Sequence, residues 1–395
     1  MSETTLDSNT RFGLKNLLLL LLPLVLLAAV IWVFLNTNAG LNFNVPVPIE
    51  DITVERVVFP GENEIEIHVR NSGPDAVHIA QVAVNDAFRT FTVIPLSEIP
   101  RLDTATIHLN YGWVEGEAYA ITIFTTNAVP IDVEVPVAFL TPEPSGANFL
   151  GFTLIGVYVG LIPIFLGLLW FPALRSLGKE WMTFLMAITI GLLIFLGLDT
   201  VSEALEQAAK VPAPFQGIGL IGIGAVATFL LLDAISRRQS ATAGEGSTKR
   251  LGVAYLIALG IGLHNLGEGL AIGAAYNVGE VALGTFLVVG FIIQNITEGL
   301  GIIAPILRDR PKFSHLVWLG VLGGAPAIVG SWLGAFTPSA TLAVLFLGIG
   351  AGAIFEVVYE IAKMIKKDME NMPMVVFAGV LAGMLVLWGT GLLIK

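Results

Sequence analysis

Three textures follow one another along the chain. An apolar run over residues 16–36, with LLLLLLPLVLLAAVIWVFL at its heart, succeeds a polar start, 1–15, that carries Arg11 and Lys15. About 20 apolar residues suffice to cross a bilayer, so the run predicts one spanning helix. A secretory signal also has a basic start and an apolar middle, and Thr37-Asn38-Ala39 could serve as its cleavage site. The run is longer than a signal needs, and the preferred reading is an uncleaved anchor behind a cytoplasmic N-terminus.

Over 45–142 the pattern turns to alternating and β-branched segments: 52–58, 64–69, 77–84, 89–94, 104–109, 118–125 and 131–135. Turn chemistry separates them, as in Pro60-Gly61, Asn71-Ser72-Gly73-Pro74-Asp75 and Asn85-Asp86. Seven short strands at this spacing predict an antiparallel β-sandwich of immunoglobulin-like type. The Pro-rich stretch Thr141-Pro142-Glu143-Pro144-Ser145-Gly146 closes it.

From Asn148 the apolar texture returns in eight runs, roughly 149–172, 181–204, 215–236, 251–276, 281–307, 315–336, 340–364 and 374–394. Basic residues gather in alternate connections: Arg175 and Lys179; Arg237, Arg238, Lys249 and Arg250; Arg308, Arg310 and Lys312; Lys363, Lys366 and Lys367. The other connections hold Lys210 and little else. With Arg11 and Lys15 on the same side, the positive-inside rule predicts a cytoplasmic N-terminus, nine spans, and a sandwich and C-terminus outside the cytoplasm. The expected fold is an all-α polytopic bundle in the plasma membrane: one N-terminal helix and an eight-helix domain over 148–395, with the β-sandwich inserted between them.

Composition supports this reading. Of 395 residues, 55% are hydrophobic and 13% charged, whereas soluble domains carry about 25% charged residues. The absence of cysteine removes disulfides and thiolate ligands. A net charge of −11 argues against a nucleic-acid partner and leaves the lipid bilayer as the evident one. Small-residue faces permit a homodimer. Nothing indicates what the sandwich binds.

Against the apolar background two polar clusters stand out, His264-Asn265-Leu266-Gly267-Glu268-Gly269 and Gln294-Asn295-Ile296-Thr297-Glu298-Gly299. Ionisable residues within spans are expensive and mark functional sites. Helical residues four apart lie about 40° apart around the axis and neighbours about 100°. Each cluster therefore puts its first residue and its glutamate on one face, with the asparagine beside them. Side by side, the helices would converge His264, Asn265, Glu268, Gln294, Asn295 and Glu298, with glycines allowing close approach. Imidazole with carboxylate and amide oxygen suits Zn²⁺, Fe²⁺, Mn²⁺ or Co²⁺. The plainer reading is a polar network joining helices, which the two glutamates and the repeated spacing disfavour.

At these residues the chain resembles the ZIP (Zrt/Irt-like protein) family of divalent metal transporters, over about the last 245 residues. The resemblance implies an eight-helix core with a transport site of His264, Glu268, Gln294 and Glu298. It also implies an adjoining site with Asn265 and Asn295 that shares the glutamates. Departures are Gly267 and Thr297 where proline is common, Ala325 in place of a glutamate before Pro326, and Asn295 where a carboxylate or histidine can stand. One strong site is expected. Asp199 and Glu203 become candidate entrance ligands, Glu356 and Glu360 candidate exit ligands. Asp233 reads as a helix-end partner of Arg237 and Arg238. His68, His78 and His108 read as surface or half-buried strand residues rather than an external metal-capture site, and His315 as interfacial.

The expected function is transport of a divalent transition-metal cation toward the cytoplasm, Zn²⁺ first and Cd²⁺, Fe²⁺ or Mn²⁺ besides. No enzymatic activity and no cofactor beyond the transported ion are expected, and no nucleotide-binding loop is seen. One rival is an intramembrane metal-dependent hydrolase, disfavoured by the lack of an HExxH pair. Another is a membrane-anchored surface interaction protein, which leaves the glutamates unexplained.

Overall fold

Residues 14–37, 49–175, 178–242, 246–277, 281–337 and 339–394 are described by the structure, a computed structural model. The first element, α1 (Leu14–Thr37), is apolar on all sides, as a helix surrounded by lipid must be. It belongs to a unit of its own; of the expected cytoplasmic segment 1–15 and cleavage site Thr37-Asn38-Ala39, residues 1–13 and 38–39 lie outside the described residues, and Thr37 is the last residue of the helix.

The second unit begins with nine strands: β1 (Ile52–Gly61), β2 (Glu64–Asn71), β3 (Val77–Val84), β4 (Ala87–Arg89), β5 (Phe91–Ile94), β6 (Glu98–Ile99), β7 (Thr104–Asn110), β8 (Tyr119–Thr125) and β9 (Pro130–Val135). They form two antiparallel sheets, in the orders β1-β2-β7-β5 and β4-β3-β8-β9, with β6 paired to β3. Alternation explains the arrangement. Ile65, Ile67, Val69, Ile107 and Leu109 of one sheet meet Val82, Val84, Ile121 and Ile123 of the other in a shared core. The single strand expected over 89–94 is in fact two. Asn85 and Asp86, both at positive φ (48° and 64°), make a tight turn that folds β4 back on β3. The chain then crosses at Thr90, so that Arg89 pairs with Val82 while Phe91 pairs with Leu109 in the opposite sheet.

Eight helices follow: α2 (Gly146–Leu174), α3 (Lys179–Ala208), α4 (Gly217–Thr242), α5 (Ser247–Asn277), α6 (Val281–Ile303), α7 (Phe313–Phe336), α8 (Ala340–Met364) and α9 (Pro373–Ile394). Among the described residues seven helical stretches are long and apolar enough to cross a membrane. The chain is a multi-pass membrane protein with a helical bundle. Its most enclosed span is α5, which packs against α6, α7 and α8.

Glycine lets the backbones meet where the site is built. Gly269 and Gly299, among the glycines expected to let α5 and α6 approach, admit other helices instead. A Cβ on Gly269 would strike the Ala327 carbonyl of α7, and one on Gly299 would lie 2.5 Å from the Ile164 carbonyl oxygen and 2.9 Å from Gly167 Cα of α2. Those helices are also the interrupted ones. A π-turn (Val157–Leu161) precedes Pro163 in α2, and α7 breaks at Ala325 before Pro326. Proline offers no N–H to the preceding turn, so carbonyls fall free at both places.

The basic connections meet at one end of the bundle. Lys179 pairs with Asp368 at 3.1 Å, and Arg250 grips Asp309 with Nε at 2.9 Å and a second nitrogen at 2.5 Å. At the other end, Arg70 of the sandwich lies over the Phe215 ring between α3 and α4, 5.5 Å from its centroid.

Candidate metal centre

His264 and Glu268 stand one turn apart on α5, and Gln294 and Glu298 one turn apart on α6. The structure brings both pairs together. One donor atom each from His264, Glu268 and Glu298 falls within 4.8 Å of the others, and all three residues are buried. Glu268 is the hub. Its Oε1 accepts from Gln294 Nε2 at 2.9 Å, and its Oε2 accepts from Asn295 Nδ2 at 2.9 Å. Gln294 Nε2 also reaches Glu298 Oε1 at 3.4 Å.

Both asparagines are oriented by backbone carbonyls of neighbouring helices. Asn295 Nδ2 donates to the Val159 carbonyl at 3.0 Å, which lacks its helical donor because that donor position is Pro163. Asn265 Nδ2 donates to the Gly323 carbonyl at 2.9 Å, beside the break before Pro326. A carbonyl can only accept, so the amide nitrogens must face these partners and the amide oxygens must face away. Asn265 Oδ1, Asn295 Oδ1 and Glu298 Oε2 are all buried with no hydrogen-bond partner. Orphaned buried acceptors are costly, and three in one place ask for a cation.

The imidazole points the same way. Thr200 Oγ1 of α3 donates to its own helix at Leu196 O, 2.8 Å away, and sits 3.2 Å from His264 Nδ1. With its proton committed, the hydroxyl accepts from Nδ1–H, leaving the Nε2 lone pair free. Nε2 faces Glu268 Oε1 at 3.2 Å. Two acceptors at this distance repel unless a proton or a metal ion lies between them. The donor set thus fits a divalent ion. The residue that fixes the tautomer, Thr200, was not legible in sequence, because a threonine in a membrane helix ordinarily satisfies its hydroxyl on its own backbone. Thr200→Val is expected to weaken metal binding about 10- to 100-fold, the usual cost of losing such an outer partner. Unchanged affinity by calorimetric titration would contradict the tautomer assignment.

The flanking candidates divide. Glu203, one turn beyond Thr200 toward the sandwich end, is half-buried, whereas Asp199 is exposed. Toward the basic end Glu356 and Glu360 of α8 converge with Asp233 of α4, their donor atoms again within 4.8 Å. Asp233 does accept from Arg237 Nε at 2.7 Å, yet it also belongs to this cluster. Ser236 Oγ donates to Glu360 Oε1 at 2.6 Å, and Lys363 completes an ion pair with Glu360. Glu356 is fully buried with both oxygens unpartnered.

The remaining histidines are placed elsewhere. His315 meets the Tyr255 hydroxyl at 2.9 Å, and His78 lies 3.8 Å from Glu98 on the sandwich surface. His68 is half-buried beside Glu66; burial first, then the charges of Arg56 and His108, lower its pKa from 6.5 to about 4. His108 lies between Glu64 and Glu66. No family model matches the chain, and no curated protein is significantly similar to it.

Proposed function

We propose that this protein carries a divalent transition-metal ion, Zn²⁺ first, across the membrane through the α5/α6 centre. The observation that carries the reading is the buried meeting of His264, Glu268 and Glu298, with Glu298 Oε2 and the amide oxygens of Asn265 and Asn295 unpartnered. A structural polar network would satisfy those oxygens internally. The ligand set resembles that of the ZIP transporters in residue type and spacing, with Gln294 as a further ligand and Asn265 and Asn295 as an uncharged adjoining pair. Ala325 removes a carboxylate that the resemblance leads one to expect, so one strong site is proposed rather than two.

Transport requires ligands that replace the hydration shell and then let go. Tiers of carboxylates supply a route. Glu203 lies on the sandwich side of the centre. Glu356 is six residues beyond Gly350, the α8 residue packed against His264, or about 9 Å along the helix toward the basic end. Glu360 and Asp233 continue in that direction. The centre is sealed, with His264, Glu268 and Glu298 no more than 6% exposed. Passage therefore needs alternating access, one helix group rocking against the other. By the positive-inside rule the basic end is cytoplasmic, which places the sandwich outside the cell membrane; the proposed direction is toward that basic end.

We read the sandwich as immunoglobulin-like. Its sheet orders correspond to the constant-type arrangement with two added strands, β4 and β6, paired to β3. Tyr119 at the start of β8 takes a hydrogen bond on its hydroxyl from Val114 N–H at 2.8 Å, as the tyrosine corner of that fold does.

The test is Zn²⁺ entry into liposomes reconstituted with the full chain. Saturable entry supports the proposal. Tight binding without entry would favour a metal-dependent enzyme on the same helices. Because the ligands are buried carboxylates, protons are expected to compete with the ion, and uptake indifferent to an imposed pH gradient would remove that coupling.

A further inference from the structure

We infer that the β-sandwich holds a second, independent divalent-metal site made by Glu64, Glu66 and His108 on the outer face of the sheet β1-β2-β7-β5. The register places them. Strands β2 and β7 run antiparallel, with Glu66 directly opposite His108 and Glu64 opposite Asn110. Side chains two apart on a strand share a face, so Glu64 and Glu66 flank the imidazole from one side of the pleat.

The distances match a metal-coordination edge and are long for hydrogen bonds, although the Glu64 contact meets the limit for one. His108 Nδ1 lies 3.4 Å from Glu64 Oε1 and 3.3 Å from Glu66 Oε1. An N–H···O bond prefers about 2.9–3.0 Å, and one Nδ1–H serves two acceptors poorly. The edge of a tetrahedron whose metal–ligand bonds are about 2.1 Å is about 3.4 Å. All three donor atoms lie within 4.8 Å of one another. The anionic charge is also unspent. Among the described residues neither glutamate forms a salt bridge with lysine or arginine, whereas Glu55 on the same sheet is held by Arg70 at 2.6 Å.

Room and support are present. An open depression of about 530 Å³, bordered by Glu64, Thr92, His108 and Asn110, leaves space for water to complete the coordination. Glu66 Oε2 lies 3.5 Å from His68 Nε2, whose other nitrogen is 3.2 Å from Thr106 Oγ1, so His68 orients the bridging carboxylate. One imidazole nitrogen with two carboxylates suits Zn²⁺ or a similar borderline ion better than Mg²⁺ or Ca²⁺. The residues are remote in sequence from the membrane centre, and the inference stands whether or not the bundle transports.

The test uses the full chain in detergent with Glu268→Gln and Glu298→Gln introduced, so that the membrane centre contributes little. Zn²⁺ is titrated calorimetrically into this background and into the same protein carrying either His108→Ala or the near-isosteric Glu66→Gln. Each added substitution is expected to remove one equivalent of bound Zn²⁺ or weaken it at least about tenfold, with the metal-free unfolding temperature unchanged. If both leave stoichiometry and affinity as they were, the site does not exist. If His108→Ala lowers the metal-free unfolding temperature, Glu66→Gln alone decides.

Discussion

Glu268→Gln is expected to reduce divalent-metal affinity of the membrane centre by about 100-fold or more, roughly 3 kcal/mol. The substitution keeps the shape and removes the charge, but its consequence is larger than that of a lost ligand. Both Glu268 oxygens accept from amide nitrogens of α6, Oε1 from Gln294 and Oε2 from Asn295. A glutamine must turn its own amide nitrogen toward one of those donors, leaving two N–H groups face to face. The Asn295 side chain then has reason to rotate away from Val159, and its oxygen leaves the place where the ion needs it. Cd²⁺ titration of the purified protein reads the effect directly. Affinity within a factor of three of the native chain would show that Glu268 is a structural link between helices and not a ligand.

Gly299→Val is expected to act through packing, at a cost of about 3 kcal/mol or more. The first carbon of any side chain here would fall 2.5 Å from the Ile164 carbonyl oxygen and 2.9 Å from Gly167 Cα. Both are backbone atoms, so no rotamer change relieves the overlap and α2 must move off α6. That movement would carry the Val159 carbonyl away from Asn295 and open the centre at the same time. The expected readout is a lower unfolding temperature in detergent together with lost Cd²⁺ binding. Gly267→Ala is the control, since its nearest neighbour is the Leu347 Cδ2 methyl at 3.3 Å, a side-chain end that can yield. Equal unfolding temperatures for Gly299→Val and the native chain would show that α2 and α6 are not in contact as described.

Much of the architecture was legible because the bilayer and the pleat impose simple periods. The run expected over 251–276 is the helix Ser247–Asn277, and the alternation in 64–69 and 104–109 delivers the inward-facing residues of β2 and β7. The paired clusters on α5 and α6 were visible for the same reason, as polar exceptions on apolar helices. What stayed hidden depends on partners distant in sequence. Thr200 and His264 are 64 residues apart, and nothing in either segment announces the contact. The carbonyls of Val159 and Gly323 carry no side-chain signature; Pro163, four residues after Val159, was a hint for the first alone, since the residue four after Gly323 is Ala327. Asp233 looked fully explained by Arg237 one turn later, and that pair does form while the carboxylate also serves a cluster with α8. On the sandwich, His108 read as one strand histidine among several, because only the β2–β7 register reveals that it faces Glu66.

The central claim is that the buried carboxylates lie on an ion path. The most direct test is Cd²⁺ uptake into proteoliposomes containing either the native chain or Glu298→Ala, at matched reconstitution and matched internal volume. Saturable uptake by the native chain, reduced at least about tenfold in Glu298→Ala, is the predicted result. Equal uptake by the two proteins, or native liposomes no more permeable than empty ones, would contradict it.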